Sequence, residues 1–178
     1  MRKTAFLLLL LASTANAQTF RLYGVGGKSL ANWHGQADVH AFAYEFEKPL
    51  TKRTEVGFVV APYLVKQPVT WLGEGSEDVN AIHGALVVRH HFAIGANRVQ
   101  PYVELGTGPM WAEKRVPAAT SRFNFISEAT IGVTILPEHR FAWIAGYRFL
   151  HISNGGYAPR NPGLNINAVV VGMRFGVR

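Results

Sequence analysis

Two residues near the end of this 178-residue chain, His151 and Ser153, have the types and the spacing of a nucleophilic pair. They stand two positions apart, and alternate side chains of a β-strand project from the same face. A histidine beside a serine can take the hydroxyl proton and so activate a group that is otherwise a poor nucleophile. If the segment is a strand, the pair predicts nucleophilic catalysis by Ser153 with His151 as general base.

The residues after the pair supply hydrogen-bond donors. Asn154, Gly155 and Gly156 follow Ser153 directly. Their side-chain and backbone N–H groups could stabilise a developing oxyanion. Asn165 begins the next predicted strand, and its parity places it on the face of the pair. In an antiparallel arrangement it then lies next to the strand that carries the pair.

The elements that must position these residues are β-strands. From residue 20 onward, bulky apolar residues alternate with small or polar ones, and Gly, Pro and polar turn residues interrupt the pattern at intervals. Each alternating segment is about as long as a tilted strand that crosses a bilayer, roughly ten residues. Eight such segments lie around residues 20–26, 39–46, 54–65, 81–92, 99–106, 123–135, 141–153 and 165–175.

The two faces of these strands differ in composition. One face is almost wholly apolar and aromatic, as in Phe42, Tyr44 and Phe46, whereas the other mixes charged residues such as Glu45 and Arg89 with Gly, Ala and Thr. A membrane barrel turns the apolar face to lipid and fills its narrow lumen with small and polar groups. A soluble lipocalin-like barrel is the alternative, but the charged face would make a costly soluble core. We therefore expect an all-β fold, an eight-stranded antiparallel transmembrane β-barrel of outer-membrane type, whose lumen charges pair with one another.

The lengths of the connections predict which rim carries the pair. Short connections at 49–53, 95–98 and 137–140 alternate with longer ones at 28–36, 66–79, 112–120 and 154–164. Outer-membrane barrels have short periplasmic turns and longer outer loops. The seventh strand then brings His151 and Ser153 to the outer rim, on the lipid-facing side. A catalytic site on the lipid-facing side of the barrel predicts a substrate that is itself a membrane lipid.

The N-terminal residues predict export. Arg2 and Lys3 precede an apolar stretch and then Ala15-Asn16-Ala17, a pattern typical of a cleavage site. Residues 1–17 are thus expected to be a secretory signal, and residues 18–178 a single barrel domain in the cell outer membrane. Loss of the two N-terminal cations leaves 16 of the 18 Lys+Arg against 11 Asp+Glu, a net charge of +5. We expect this charge to face an anionic membrane surface, and we expect no nucleic acid partner.

Several other chemistries are excluded by composition and parity. The chain has no cysteine, which excludes disulfides, thiol catalysis and cysteine–zinc sites. His83, His90 and His91 are close in sequence, but adjacent histidines of a strand face opposite sides, and no ligating carboxylate lies nearby. We predict structural roles for these histidines, no metal site and no cofactor.

The segment around the pair resembles the lipid A 3-O-deacylase (PagL) family of outer-membrane enzymes, in which His-x-Ser-Asn is followed by Asn-x-Gly. The motif occurs here at residues 151–154 and 161–163, and the likeness extends to the signal, the eight strands and the position on strand seven. The resemblance implies an eight-stranded barrel that hydrolyses the acyl chain ester-linked at position 3 of lipid A, without metal. It also implies roles for individual residues: nucleophile Ser153, general base His151, and an oxyanion side formed by Asn154, Asn161 and the backbone of Gly155 and Gly156.

One position departs from the family pattern. The best-known members carry a glutamate where this chain has Asn165. A carboxylate would orient the imidazole and stabilise its charged form, whereas an amide can only orient it. A Cys-His-Asn arrangement shows that an amide can serve as the third member of a triad. We predict that Asn165, or a carboxylate from elsewhere in the fold, completes the site, with slower turnover or a different pH dependence.

Two other functions stay open on the sequence alone. A non-catalytic outer-membrane barrel, serving adhesion or membrane integrity, would not need the pair, and an outer-membrane phospholipase would share its chemistry. The expected partners are lipid A or lipopolysaccharide of the outer leaflet and other outer-membrane lipids, with a homodimer as a further open expectation. The loop cations Lys66, Lys114, Arg115 and Arg160 are candidates for contacts with lipid A phosphates or for simple solubility.

Overall fold

The structure is a computed structural model that describes residues 19–30, 36–70, 72–93 and 98–176. The signal expected at residues 1–17 lies outside the described residues. None of the residues described forms a helix long and apolar enough to cross a membrane.

The described chain folds into eight antiparallel strands that close into a barrel, with β1 paired to both β2 and β8. Each strand pairs with its neighbour in sequence. This confirms the fold class expected from the period-two pattern. The strands are β1 Thr19–Ser29, β2 Asp38–Pro49, β3 Thr54–Gln67, β4 Glu77–His91, β5 Val99–Ala112, β6 Phe123–Ile135, β7 Phe141–Ser153 and β8 Leu164–Gly176.

The two faces of the strands lie where their composition predicts. Bulky apolar side chains point outward, and Leu105 and Ile131 are 67% and 69% exposed. On the inner side of the same two strands, Glu104 and Glu128 are buried. An apolar outer wall around a polar interior is the arrangement of a barrel that stands in lipid.

The half of the lumen nearest the chain termini contains a network of ion pairs. Arg148 donates to Glu104 at 2.6 Å and to Glu128 at 2.9 Å, and Arg89 donates to Glu45 at 2.8 Å and also to Glu47 and Glu104. The predicted pairing of lumen charges is therefore confirmed. Several partners around each guanidinium offset the cost of taking these charges out of water.

Toward the long-loop end, the lumen beside β7 and β8 is apolar, which the expectation of a polar lumen did not foresee. Along the last part of β7 and the first part of β8, the inward residues Leu150, Ile152, Leu164 and Ile166 are almost fully buried. These inward side chains alternate with the outward His151, Ser153 and Asn165. A closely packed interior thus supports the wall on which the candidate residues stand.

The connections that the structure describes in full keep the predicted alternation of lengths, whereas those predicted at 28–36 and 95–98 lie largely outside the described residues. Residues 50–53 and 136–140 form short turns at the end of the barrel near the termini, whereas residues 113–122 and 154–163 form longer loops at the opposite end. By the convention of outer-membrane barrels, the long-loop end is the outer one. Loop 113–122 folds inward over this end, and its Val116 is fully buried.

Candidate active site

His151 and Asn165 are direct cross-strand partners in the β7–β8 ladder. The imidazole Nδ1 lies 2.7 Å from the amide Oδ1. Parity placed the two residues on one face, and the register makes them neighbours. Asn165 is also held from the other side, because its backbone carbonyl accepts a hydrogen bond from the Leu30 N–H at 2.7 Å.

This contact determines which nitrogen of the imidazole is available for chemistry. Since an amide oxygen only accepts hydrogen bonds, the His151 ring carries its proton on Nδ1 when Oδ1 faces it. The lone pair is then on Nε2, which is the acceptor that a general base needs. Asn165 can therefore orient the ring and fix its tautomer.

Ser153 stands two residues further along β7, on the same outward face and half-buried. Two residues of a strand span about 6.6 Å, so the two side chains are neighbours on the outer wall. The Ser153 hydroxyl makes no hydrogen bond to the part of the chain that the structure describes, so its proton is not committed to another group.

Loop 154–163 is built around Asn154, which is only 1% exposed. Its Oδ1 accepts from the Gly156 N–H at 2.9 Å, and its Nδ2 donates to the Arg160 carbonyl at 2.7 Å. Its backbone N–H donates to the Asn161 Oδ1 at 2.9 Å. Asn154 was expected to offer its amide to an oxyanion, but this side chain instead holds the loop together.

The donors that remain near Ser153 are those of Asn161 and Gly155. Because the Asn161 Oδ1 accepts the Asn154 N–H, the Nδ2 of Asn161 is left as a donor, and Asn161 is exposed. The Gly155 N–H has no partner among the described residues, whereas the Gly156 N–H is used by Asn154. Gly155 and Gly156 have φ of 66° and 82°, a left-handed conformation that glycine adopts without strain.

Gly163 is a site residue whose role sequence reasoning missed, although it was part of the Asn-x-Gly motif. A Cβ at this position would lie 2.9 Å from Cε1 and 3.5 Å from Nε2 of His151, and its φ is 66°. Gly163 therefore packs against the edge of the imidazole that carries the base. Apart from the motif, the sequence offered a glycine just before a strand, which more often marks a turn.

Aromatic side chains surround the site on the lipid-facing wall. Phe125, which is 41% exposed, is the cross-strand partner of Ser153. Phe123 contacts Phe125 edge-on, and the Tyr157 hydroxyl donates to the Phe123 carbonyl at 2.7 Å. Trp111 lies beside Phe123 on the next strand. The hydroxyl of Ser153 thus opens onto an apolar surface rather than into a cleft.

The three histidines of β4 have separate partners. His83 bonds the Pro109 carbonyl, His90 bonds the Thr54 hydroxyl, and His91 bonds the Glu55 carboxylate. Within the described ranges, no group of three or more His, Cys, Asp or Glu side chains is placed to hold a metal ion.

The sequence is similar to a known protein family. The family model described as lipid A 3-O-deacylase (PagL) matches residues 11–174. No curated protein matches the chain in sequence.

Solved structures that are similar to the barrel include the following three. The crystal structure of the outer membrane enzyme PagL has a TM-score of 0.61 at 14% identity, over 89% of this chain and 99% of that one. Neisserial surface protein A (NspA) has a TM-score of 0.65 at 14% identity, over 89% and 96%. The N-terminal β-barrel domain of Pseudomonas aeruginosa OprF has a TM-score of 0.50 at 15% identity, over 89% and 98%. At these identities the likeness concerns the fold.

Proposed function

We propose that this chain, which belongs to the lipid A 3-O-deacylase (PagL) family, is an outer-membrane hydrolase that removes the ester-linked 3-O acyl chain, a 3-hydroxyacyl group, from lipid A. The observation that carries the proposal is the 2.7 Å contact between His151 Nδ1 and Asn165 Oδ1, two residues from Ser153. The contact orients His151 as a base next to the Ser153 hydroxyl, which has no hydrogen-bond partner among the described residues. Serine and histidine with this support are the parts of an esterase.

The position of the site supports a lipid substrate. His151, Ser153 and Asn165 lie on the outer wall, near the long-loop end and beside the exposed ring of Phe125. An acyl ester of an outer-leaflet lipid would reach this wall from within the membrane. Its acyl chain would lie against the aromatic wall while its sugar stays at the level of the loops.

In the proposed reaction, the Ser153 Oγ attacks the ester carbonyl carbon and its proton passes to Nε2 of His151. The carbonyl oxygen becomes an oxyanion that accepts hydrogen bonds from the Gly155 N–H and the Asn161 Nδ2. The tetrahedral intermediate then collapses: the bond to the sugar oxygen breaks, and His151 returns the proton to that oxygen. The products of this step are lipid A with a free 3-hydroxyl and an acyl-serine.

Water completes the cycle by the same groups in reverse order. His151 Nε2 removes a proton from water, the hydroxide attacks the acyl-serine, and the proton returns to the Ser153 oxygen as the fatty acid leaves. Asn165 keeps Nδ1 protonated through both steps. As a neutral amide it does not balance the charge of the imidazolium, so we expect slower turnover than a carboxylate would allow.

Mass spectrometry of lipid A from cells that express the wild type or Ser153→Ala tests the proposal. The wild type is expected to remove one 3-hydroxyacyl group and the variant none. Ser127→Ala is a matched control, because Ser127 is an outward serine that directly faces His151 across β6 and β7. Loss of activity in Ser127→Ala with retention in Ser153→Ala would reject Ser153 as nucleophile.

The same experiment separates the alternative functions. Identical lipid A from cells with and without the protein would favour a non-catalytic barrel. Fatty acid released by the purified protein from glycerophospholipid, but not from lipid A, would identify a phospholipase.

The cellular setting forms the last part of the proposal. The family and the barrel fold support a location in the outer membrane. Cleavage after Ala17 stays a prediction, which N-terminal sequencing of protein from the outer membrane would test. A homodimer also stays a prediction, and sedimentation of the detergent-solubilised protein would test it.

A further inference from the structure

Two outer loops enclose a cleft that no step of the reaction uses. It is open to the outside, has a volume of about 410 Å³, and is lined by Arg115, Ala119 and Thr120 of loop 113–122 and by Pro159 and Arg160 of loop 154–163. We propose that this arginine cleft binds a phosphate group of the lipid A molecule whose 3-O ester faces Ser153. The inference rests on the proposed function, since it names a second contact of the same substrate.

Both arginines are carried by backbone that a buried amide holds in place. The Arg115 carbonyl accepts a hydrogen bond from Gln67 Nε2 at 2.7 Å, and the Arg160 carbonyl accepts one from Asn154 Nδ2 at 2.7 Å. Gln67 and Asn154 are 2% and 1% exposed. A binding group on supported backbone loses less conformational entropy when it meets its ligand than one on a loose loop.

Loop 113–122 has further internal support. The Val116 N–H donates to the Ser121 carbonyl at 3.0 Å, and the Thr120 hydroxyl donates to the Pro117 carbonyl at 2.6 Å. Val116 and Pro117 are buried over the barrel mouth. The Arg115 side chain therefore extends from a packed segment.

The charge of the cleft suits an anion. None of the five residues that line it is acidic. Arg115 is exposed and makes no ion pair with any residue in the described ranges. A guanidinium offers several donors in a plane that matches two oxygens of a phosphate.

Two other outer cations, Lys114 and Arg122, already have partners, which distinguishes them from Arg115. The Lys114 ammonium lies 2.9 Å from the Glu77 carboxylate, a contact that raises the pKa of Lys114. The Arg122 guanidinium stacks over Trp111 at 5.3 Å and donates to the Ala112 carbonyl. Lys114, one of the four cations named from the sequence as possible contacts for lipid A phosphates, is therefore less suited to that role because it already has a partner.

A direct structural link joins the cleft to the proposed nucleophile. Asn154 follows Ser153 in sequence and holds the Arg160 carbonyl through its side chain. A phosphate bound in the cleft would therefore be fixed relative to Ser153. Such a remote contact can position the ester for attack, and positioning is a large part of the rate that enzymes gain.

The test compares lipid A that carries its phosphates with the same lipid A after enzymatic dephosphorylation, both in mixed detergent micelles. Arg115→Ala and Arg160→Ala are expected to lower kcat/KM for the phosphorylated lipid by about tenfold each, the factor that corresponds to about 1.4 kcal/mol. Turnover of the dephosphorylated lipid should stay within about twofold of wild type, a change under about 0.4 kcal/mol. Both variants keep their backbone carbonyls, so the contacts with Gln67 and Asn154 remain.

Lys66→Ala is the matched control, because Lys66 is an exposed cation at the outer end of β3 that does not line the cleft. It should leave the preference for phosphorylated lipid unchanged. An equal loss of kcat/KM for the phosphorylated lipid in all three variants would indicate a general attraction of the surface for anions. It would overturn the proposal that the cleft binds the phosphate.

Binding of both lipids to the purified wild type and to both arginine variants, measured by calorimetry, separates this inference from the proposed function. If the wild type hydrolyses neither lipid, the proposed function fails, and a phosphate-dependent affinity that each arginine variant loses still supports the cleft. If hydrolysis occurs and both variants keep the preference for phosphorylated lipid, phosphate binding in the cleft is rejected and the proposed hydrolase function is retained. Inorganic phosphate that competes at the same concentration as the lipid would make the free anion the ligand and overturn the lipid assignment.

Discussion

The Nδ1 of His151 and the Oδ1 of Asn165 lie 2.7 Å apart on directly paired positions of β7 and β8. The contact depends on the register of the ladder, because a shift of one residue would turn one of the two side chains into the lumen. The inward neighbours Ile152 and Leu164, which are paired and buried, hold this register. A neutral amide thus occupies the place where it can orient the His151 imidazole, the base in the proposed reaction.

Replacement of Asn165 tests its role as the orienting residue. Asn165→Ala removes the acceptor for Nδ1–H, and the imidazole can then adopt the wrong tautomer, so kcat should fall by about 10²- to 10⁴-fold. Asn165→Glu restores a carboxylate, which favours the protonated ring. The acidic limb of the pH–rate profile should then move to higher pH, and kcat above that limb should rise. Unchanged kinetics in both variants would exclude a role for Asn165.

Gly163→Ala tests the packing against the base. The new Cβ would lie 2.9 Å from Cε1 of His151 in a backbone with φ of 66°, so the ring must move. A displacement of about 1 Å at a reacting group can lower the rate by about 10²-fold. We expect a fall in kcat with little change in KM, measured on micellar lipid A.

Gly75→Ala is the control for the backbone strain in that experiment. Gly75 has a similar φ of 64° in the loop between β3 and β4, and among the described residues a Cβ there would meet Val69 alone. It should destabilise its loop to a similar degree and leave kcat unchanged. An equal loss of kcat in both variants would assign the effect to loop strain.

Asn161→Asp separates the two ends of the Asn161 amide. The carboxylate keeps an oxygen for the Asn154 N–H but replaces the Nδ2 donor with a negatively charged acceptor. If Nδ2 stabilises the oxyanion, kcat should fall by about 10²-fold or more while the loop stays folded. Asn167→Asp makes the same change on the outer wall of β8, where Asn167 contacts the Tyr147 hydroxyl, and should leave kcat near wild type.

The ion network of the lumen is expected to stabilise the barrel without a direct part in the chemistry. Arg89→Met leaves Glu45, Glu47 and Glu104 without a shared partner in a buried place. Breaking such a network costs about 3–5 kcal/mol. The midpoint of thermal unfolding in detergent should fall clearly, whereas Arg53→Ala in the exposed turn between β2 and β3 should leave it unchanged.

Much of the architecture follows from the sequence because the side-chain period of a strand is local. Alternation places Phe42 and Tyr44 on one face and Glu45 on the other without knowledge of any partner strand, and the structure agrees. The same parity places His151, Ser153 and Asn165 on the outer wall. The alternation of short and long connections, which depends only on where apolar periodicity stops, determines the rim to which they belong.

Only the tertiary structure decides which of these residues meet. The register that joins His151 to Asn165 and the buried position of Asn154 depend on contacts between segments that no local period specifies. Gly163 packs against the imidazole because the residues before β8 fold back over β7. Arg115 and Arg160 line one cleft because two loops about 40 residues apart in sequence fold over the same end of the barrel. The parity of each strand, which is local, determined which way each side chain points. Closure of the barrel and packing of its loops determined what each side chain contacts, because the free energies of strand pairing and loop packing arise between distant parts of the chain.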